Sequence, residues 1–257
     1  MDLSNFAHYP SLKDKAVFIT GGGSGIGAAI TECFLAQGSR VAFVDIDEDA
    51  SRKLCAELKV RYGREALFLK CDIRDIAALR QAIAEAASEV GLFNVLVNNA
   101  ANDMRHNWRE VEPDYWDDRM AINLRPFFFT IQAIAPMMQK LGGGSIVNFG
   151  SISWKIASGN LPAYVSAKAA VHGLTRAMAR ELGQTNIRVN TVLPGWVMTE
   201  RQLKLWLDAE GQARIDRSQC LKDRVMPVDL ARMVLFLASE DARMCSAQEF
   251  TVDGGWA

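Results

Sequence analysis

An α/β fold is predicted for this chain: a single-domain, doubly wound parallel sheet of about seven strands with helices on both faces. Three observations predict it. Short unbroken apolar runs such as Ala16-Val17-Phe18-Ile19 recur, amphipathic stretches separate them, and the first run ends in a glycine-rich turn that opens a helix. Continuous rather than alternating apolar runs mark strands buried on both faces, as parallel sheets with helical crossovers demand.

The first strand covers 16–20 and is followed by a helix over 26–35 that ends near Gly38. A second strand at 41–44 terminates in Asp45. A helix over 47–62, a strand at 66–70, a helix over 75–89 and a strand at 94–98 continue the alternation. A long helix is predicted over 115–140, interrupted or bent at Pro126, which lacks the backbone donor a helix interior uses. Gly142-Gly143-Gly144 breaks the chain before a fifth strand at 145–149. Pro162 then falls in the first turn of a helix over 162–182, where its fixed φ is suited. Strand six spans 187–193. The stretch 195–226 is polar, holds tryptophans and has no strand pattern, so it reads as an insertion. A helix over 227–238 and a strand at 249–252 complete the pattern. No linker or repeat divides the chain, and one domain accounts for 1–257.

Hydrophobic residues make up 49% and charged residues 23%, the balance of a globular chain with a sizeable core. The formal net charge is −1 with no Lys/Arg block, so neither nucleic acid nor membrane is expected as a partner. The first fifteen residues hold Asp2, His8, Pro10 and Lys13 and no apolar core of a secretion signal. The longest uncharged run, 126–139, is too short and too polar to span a bilayer. Cys33, Cys55, Cys71, Cys220 and Cys245 form no CxxC pair and read as reduced core thiols of a cytoplasmic protein. His8, His106 and His172 lack ligand spacing, so no metal is expected.

The glycine-rich turn is Thr20-Gly21-Gly22-Gly23-Ser24-Gly25-Ile26-Gly27, placed between a strand and a helix as a dinucleotide phosphate loop requires. Gly21 permits the tight turn, Gly25 the approach of a pyrophosphate and Gly27 close packing of helix on sheet. The helix start around Ser24 and Ile26 presents free N–H groups and a positive dipole end. An ordinary glycine turn is the competing reading. Asp45 closes the second strand, where a carboxylate accepts from adenosine ribose hydroxyls and repels a 2′-phosphate; no Arg or Lys follows it until Arg52. The expected cofactor is therefore NAD rather than NADP, on a Rossmann-like fold. Asp72, after the third strand, either bonds an adenine amino group or caps the helix beginning near Asp75.

Tyr164 and Lys168 stand four apart on the 162–182 helix and project from one face. With its ordinary pKa near 10, tyrosine is a poor base, and a nearby ammonium favours its phenolate. Ser151, thirteen residues earlier, is available to hold a reacting oxygen. Such a pair falls on many helices by chance; a neighbouring cofactor loop gives it a use.

Thr20-Gly21-x3-Gly25-x-Gly27, Asn98-Asn99-Ala100, Asn123, Ser151, Tyr164-x3-Lys168 and Pro194-Gly195 follow one another along the chain. In these residues it resembles the short-chain dehydrogenase/reductase family over nearly its full length, with Ala101 where the family often has glycine. The resemblance implies that Tyr164 is the general base in oxidation and that Lys168 lowers its pKa and bonds the nicotinamide ribose. Ser151 would orient the substrate oxygen, and Asn123 would bend its helix to hold a water of the proton relay. Cofactor contacts are implied at Ile73, Asn99, Ala100, Pro194, Gly195 and Val197, with Thr199 near the amide or a phosphate. A homotetramer is implied as well. Asn98 and Asn148 are expected to be structural.

Segments 98–106, 148–154, 219–222 and 252–256 resemble bacterial aldose 1-dehydrogenases, which oxidise D-xylose, L-arabinose or D-galactose at C1 to the lactone. A sugar needs several donors and acceptors and a flat apolar surface for its ring. Candidate contacts are Asn102, Arg105, Ser151, Ser153, Asn160, Tyr164 and Trp196, with Asp103, His106, Trp154 and Trp206 in the same loops. Core packing is the competing role for Trp108, Trp116 and Trp206. The 195–226 segment is expected to close over substrate as a lid. Two other readings stay open: a polyol or 3-oxoacyl enzyme of the same fold, and a non-catalytic nucleotide sensor. Retention of Tyr164, Lys168 and Ser151 together argues against the sensor.

Overall fold

The computed structural model describes residues 6–257; residues 1–5, part of the stretch searched for a secretion signal, lie outside it. Strands and helices alternate as β1 (Ala16–Thr20), α1 (Gly25–Ala36), β2 (Arg40–Asp45), α2 (Glu48–Tyr62), β3 (Leu67–Lys70), α3 (Ile76–Val90) and β4 (Val95–Asn98). They continue as α4 (Pro113–Asn123), α5 (Arg125–Lys140), β5 (Gly144–Phe149), α6 (Pro162–Leu182), β6 (Ile187–Pro194), α7 (Glu200–Leu205), α8 (Ala209–Ser218), α9 (Pro227–Ala238) and β7 (Glu249–Val252). The sheet runs β3-β2-β1-β4-β5-β6-β7, with every pairing parallel. Strand order reverses between β1 and β4, so the loops leaving those strands diverge and open a crevice at the carboxyl edge.

β1 and β4 are buried along their whole length. One set of their side chains, including Val17, Ile19 and Val97, packs with α1, α2 and α9; the other, including Phe18 and Leu96, packs with α3, α5 and α6. Each large apolar side chain withdrawn this way contributes roughly 1.5–3 kcal/mol. Towards the carboxyl edge the core turns polar. Asn98 Nδ2 donates to Asn148 Oδ1 at 3.0 Å, and Asn148 Nδ2 donates to Thr175 Oγ1 at 3.0 Å. Thr130 on α5 and Thr191 on β6 complete the network, at 2.7 Å to Asn98 and 2.8 Å to Thr175. Strand register sets Asn98 beside Asn148 and Asn148 beside Thr191, so these buried groups satisfy one another just below the site. Asn98 and Asn148 are structural, as expected.

Two expectations need correction, on the long helix and on the cysteines. The long helix is two: α4 stops at Asn123 and α5 starts at Arg125, with the break at Leu124 (φ −137°, ψ −55°). Pro126 does not cause it; it sits in the first turn of α5, where no intrahelical donor is needed. The insertion contains α7 and α8, started by Thr199, which accepts from Gln202 N–H, and Asp208, which accepts from Gly211 N–H. Cys33, Cys55 and Cys71 are buried, but Cys220 is exposed and so is no core thiol. Among the described residues no helix is long and apolar enough to cross a membrane, and no group of three or more His, Cys, Asp or Glu side chains gathers as for a metal.

Candidate active site

The expected catalytic, cofactor-binding and sugar-contact residues except Asn123 line one cleft of about 1500 Å³ at the carboxyl edge, and Asp103 joins them, while His106, Trp154 and Trp206 do not. Its cofactor end begins at Gly21, whose φ of +67° turns the chain out of β1. A Cβ at Gly21 would lie 2.9 Å from the Ala100 Cα, so the loops after β1 and β4 meet only because none is there. Asn99 locks that meeting: its Nδ2 donates to the carbonyls of Thr20 at 3.2 Å and Gly21 at 2.9 Å. Ser24 precedes α1 without making a side-chain cap. The first-turn N–H groups of α1 thus stay available, at the positive end of the helix. Such a cradle fits the phosphates of a dinucleotide.

Asp45 ends β2 beside this loop. Its Oδ2 accepts from Gly23 N–H at 2.9 Å and its Oδ1 from Asp47 N–H at 3.0 Å, leaving each oxygen able to accept once more. Arg52 is turned away, paired to Glu48 at 2.8 Å and resting over the Phe68 ring. Asp72 is not the cap of α3; Asp75 fills that position, accepting from Ala78 N–H at 3.0 Å. Asp72 is instead held by Arg74, which also reaches Asp118, and the guanidinium keeps the Asp72 carboxyl below the usual range.

At the other end α6 carries Tyr164 and Lys168. Lys168 is fully buried and donates from Nζ to the Phe149 carbonyl at 2.8 Å, with the Tyr164 ring centroid 5.8 Å away. Burial pushes its ammonium down to about 7. The Tyr164 phenol is pushed well up, by burial first and then by the negative charge of Asp103, while a hydrogen bond with Ser151 acts downwards. Among the protein's own groups, then, burial outweighs the lowering expected from Lys168. Ser151 Oγ also accepts from Ser153 N–H at 3.1 Å, which fixes it against a short 3-10 turn.

Asn123 is wholly buried behind the cleft. Its Oδ1 accepts from Asn102 N–H at 2.8 Å, and its Nδ2 donates to the carbonyls of Asn102 at 3.1 Å and Arg119 at 3.0 Å. Both of its donors are committed, so what it visibly does is hold the β4–α4 loop at the break between α4 and α5.

The remaining wall is built for a polar ligand. Ser153 is 7% exposed and its Oγ is buried without a partner, as is the indole N–H of Trp196. Arg105 stacks over Trp206 at 4.4 Å and Trp196 at 5.8 Å. Asn160, at φ +62°, accepts from His106 N–H through its carbonyl at 2.7 Å. Trp206 follows α7 and lies under Arg105, but Trp108 and Trp116 are 65% and 40% exposed and are not core.

Several contacts had escaped sequence reasoning. Trp154 donates to His172 Nε2 at 3.0 Å, and His172 Nδ1 meets Glu249 Oε1 at 2.6 Å, a chain that bolts the Ser151 turn to α6 and β7. Trp256 lines the cleft beside Trp196, their ring centroids 6.5 Å apart. Asp103 bridges to Arg201 and Gln202 of α7. These partners are far apart in sequence and carry no local pattern; Thr199, expected as a cofactor contact, also caps α7.

Comparison with known proteins is consistent with this geometry. A family model described as enoyl-(acyl carrier protein) reductase matches residues 21–257. The chain is 49% identical over 250 residues to a D-xylose 1-dehydrogenase of Caulobacter vibrioides, covering 97% of this chain and 98% of that one. It is 47% identical over 249 residues to a probable galactose dehydrogenase of Rhizobium meliloti, covering 97% of each. A solved 7α-hydroxysteroid dehydrogenase, complexed with NADH and 7-oxo glycochenodeoxycholic acid, superposes with a TM-score of 0.91 at 33% identity, over 96% of this chain and 97% of that one. Identity at this level, carried through nearly the whole length, leaves one assignment: the protein is an oxidoreductase that belongs to the short-chain dehydrogenase/reductase family.

Proposed function

We propose that the protein is an NAD-dependent aldose 1-dehydrogenase, oxidising C1 of a pentose or a galactose-type sugar to the aldonolactone. One observation carries the sugar assignment: relatives named for xylose and galactose match 97% of the chain at 47–49% identity. The wall of the cleft agrees with it, since Ser153 Oγ, Asn160, Arg105 and the Trp196 indole suit a hydroxylated ring better than a steroid or acyl chain.

Ser151 holds the C1 hydroxyl while Tyr164 takes its proton, a transfer within the reach of one hydrogen bond. Lys168, fixed by the Phe149 carbonyl, keeps a proton donor beside the phenol and offers a second contact to the nicotinamide ribose. Bound NAD supplies the hydride acceptor and a positive charge that favours the phenolate. Asn123 acts as a positioning residue through the Asn102 backbone. The exposed indole of Trp116 and ring of Phe128 leave apolar surface for the homotetramer that the family resemblance implies.

NADH release from D-xylose, L-arabinose and D-galactose, measured beside polyols and 3-hydroxyacyl thioesters, tests the reading. Aldoses are expected to give the highest kcat/KM. Because Asp45 faces a 2′-phosphate with a like charge and Arg52 is engaged elsewhere, NAD is expected to exceed NADP by at least about tenfold in kcat/KM. Preference for polyols or thioesters moves the protein to its same-fold alternative. Tight NAD binding without turnover of any alcohol makes it a sensor.

A further inference from the structure

Ser151 can hold a substrate oxygen against Tyr164 only if its short turn is fixed relative to α6. The chain is tied into the sheet as far as Gly150, whose N–H donates to the Val192 carbonyl at 2.9 Å. Beyond it comes the 3-10 turn Ile152–Trp154, three residues with little stability of their own. Ser151 Oγ accepts from Ser153 N–H, so the hydroxyl goes wherever this turn goes. Among the described residues, two polar side-chain contacts tie residues 152–158 to the rest of the fold. Trp154 Nε1 donates to His172 Nε2 at 3.0 Å, and Lys155 Nζ pairs with Glu249 Oε2 at 3.1 Å. Glu249 Oε1 in turn meets His172 Nδ1 at 2.6 Å, so both ties end on one pair.

His172 follows Lys168 by one turn of α6, and Lys168 follows Tyr164 by another. Lys168 Nζ donates to the Phe149 carbonyl at 2.8 Å, two residues before Ser151; His172 takes the Trp154 indole, three residues after it. One helix thus grips the chain on both sides of the serine and also carries the phenol that the serine bonds. The roles in the second grip are fixed by chemistry. An indole N–H only donates, so His172 Nε2 is the bare, accepting nitrogen, and the ring hydrogen sits on Nδ1, aimed at the Glu249 carboxylate. The imidazole is closely held. It is 8% exposed, the Trp154 ring meets it edge-on at 5.1 Å, and a Cβ on Gly150 would lie 3.0 Å from Nε2.

We propose that His172 is a positioning residue: through the Trp154 indole it fixes the Ser151 hydroxyl at the distance from Tyr164 that proton transfer requires. The proposal rests on the roles given to Ser151 and Tyr164 above. Glu249 orients the imidazole and Lys155 holds Glu249, so the turn is secured from β7 as well as from α6. Neither His172 nor Trp154 lines the cleft, so their effect reaches a substrate only through the turn. Its size is set by geometry, since a displacement of about 1 Å at a reacting group can cost roughly a hundredfold in rate.

Variants that remove the donor and the acceptor separately test this, with whichever alcohol the protein turns over. Trp154→Phe and His172→Leu are each expected to lower kcat by about 10–100-fold, while KM for NAD changes less than about threefold. Together they should cost no more than the larger single loss, as two halves of one bond do. His172→Gln, which restores an accepting oxygen, is expected to recover most of the lost rate. In a Ser151→Ala background, His172→Leu should cost less than about threefold further. Unchanged kcat in Trp154→Phe, a His172→Gln as slow as His172→Leu, or an undiminished His172→Leu loss in the Ser151→Ala background overturns the proposal. Trp154 is 37% exposed, so its variant keeps the test decisive where His172→Leu fails to fold. Imidazole nitrogen chemical shifts at neutral pH need no substrate: hydrogen on Nδ1 of His172 is expected, and hydrogen on Nε2 overturns the proposal even in an inactive protein. The expected tautomer without turnover of any alcohol defeats the functional reading instead.

Discussion

Tyr164→Phe is expected to lower kcat by about three orders of magnitude while NAD affinity changes less than about threefold. The phenylalanine ring fills the same volume on α6, so Lys168 keeps its bond to the Phe149 carbonyl and the cofactor end of the cleft is untouched. What is lost is the one oxygen that both bonds Ser151 and has the proton affinity to take the C1 hydroxyl proton. Ser151 is no substitute, because its hydroxyl is far too weak an acid to be present as a base near neutral pH, and its oxygen is already engaged by Ser153 N–H. Steady-state rates and a fluorescence titration with NAD separate the two effects. Retained turnover would remove Tyr164 from the reaction; lost cofactor affinity would mean that the phenol acts in binding instead.

The second large effect is expected at Gly27. A Cβ there would run into the Gly21 carbonyl oxygen and lie 2.8 Å from Asn99 Nδ2. Neither neighbour can step aside, since one is backbone and the other holds the carbonyls of Thr20 and Gly21. Gly27→Ala must lift α1 off the loop, at a cost of about 1–3 kcal/mol by analogy with overpacked cores. The loosened cradle should weaken NAD binding by about 10–100-fold and lower the melting temperature. Gly173 on α6, where an added Cβ meets nothing within 4 Å, is the control. Gly173→Ala is expected to be neutral or slightly stabilising, as alanine is the better helix former. Calorimetric titration and thermal melting of both variants check the contrast; unchanged NAD affinity in Gly27→Ala would refute the close-packing account.

Reading the sequence succeeded wherever a residue's role is set by its immediate neighbours in the chain. Pro162 and Pro227 mark the starts of α6 and α9, the glycines of 21–27 mark the turn from β1 into α1, and continuous apolar runs mark the buried strands. Tyr164 and Lys168 needed only helical spacing to be placed together. It failed where the cause lies across the fold. The resemblance implied a bend at Asn123, but the contact beside the break, its amide bonded to Asn102 21 positions earlier, has no local signal. Asp72 does not cap α3, one of its two expected roles; Arg74 holds it and also reaches an Asp118 that comes from α4. The Trp154–His172–Glu249 chain joins residues 18 and 77 positions apart. Asp103 was legible as a polar loop residue, but its link to α7 spans nearly a hundred positions and exists only once both segments have folded.

The cleft differs in kind at its two ends, and this division bears on function. The cofactor end is made mostly of backbone, with Asn99 and Asp45 spent on holding loop geometry. The substrate end is made of side chains from the loops after β4, β5 and β6, the parts of an open α/β sheet most free to vary. If the substrate is a sugar as proposed, specificity for one over another is expected to rest on Ser153, Asn160, Arg105 and Trp196 more than on the reacting groups.

The most direct measurement uses an aldose that turns over, labelled with deuterium at C1. Hydride transfer from that carbon predicts slower NADH formation from the labelled sugar and deuterium in the reduced nicotinamide. Label retained in the sugar product, with no change in rate, would show that oxidation occurs at another carbon and would contradict the aldose 1-dehydrogenase assignment.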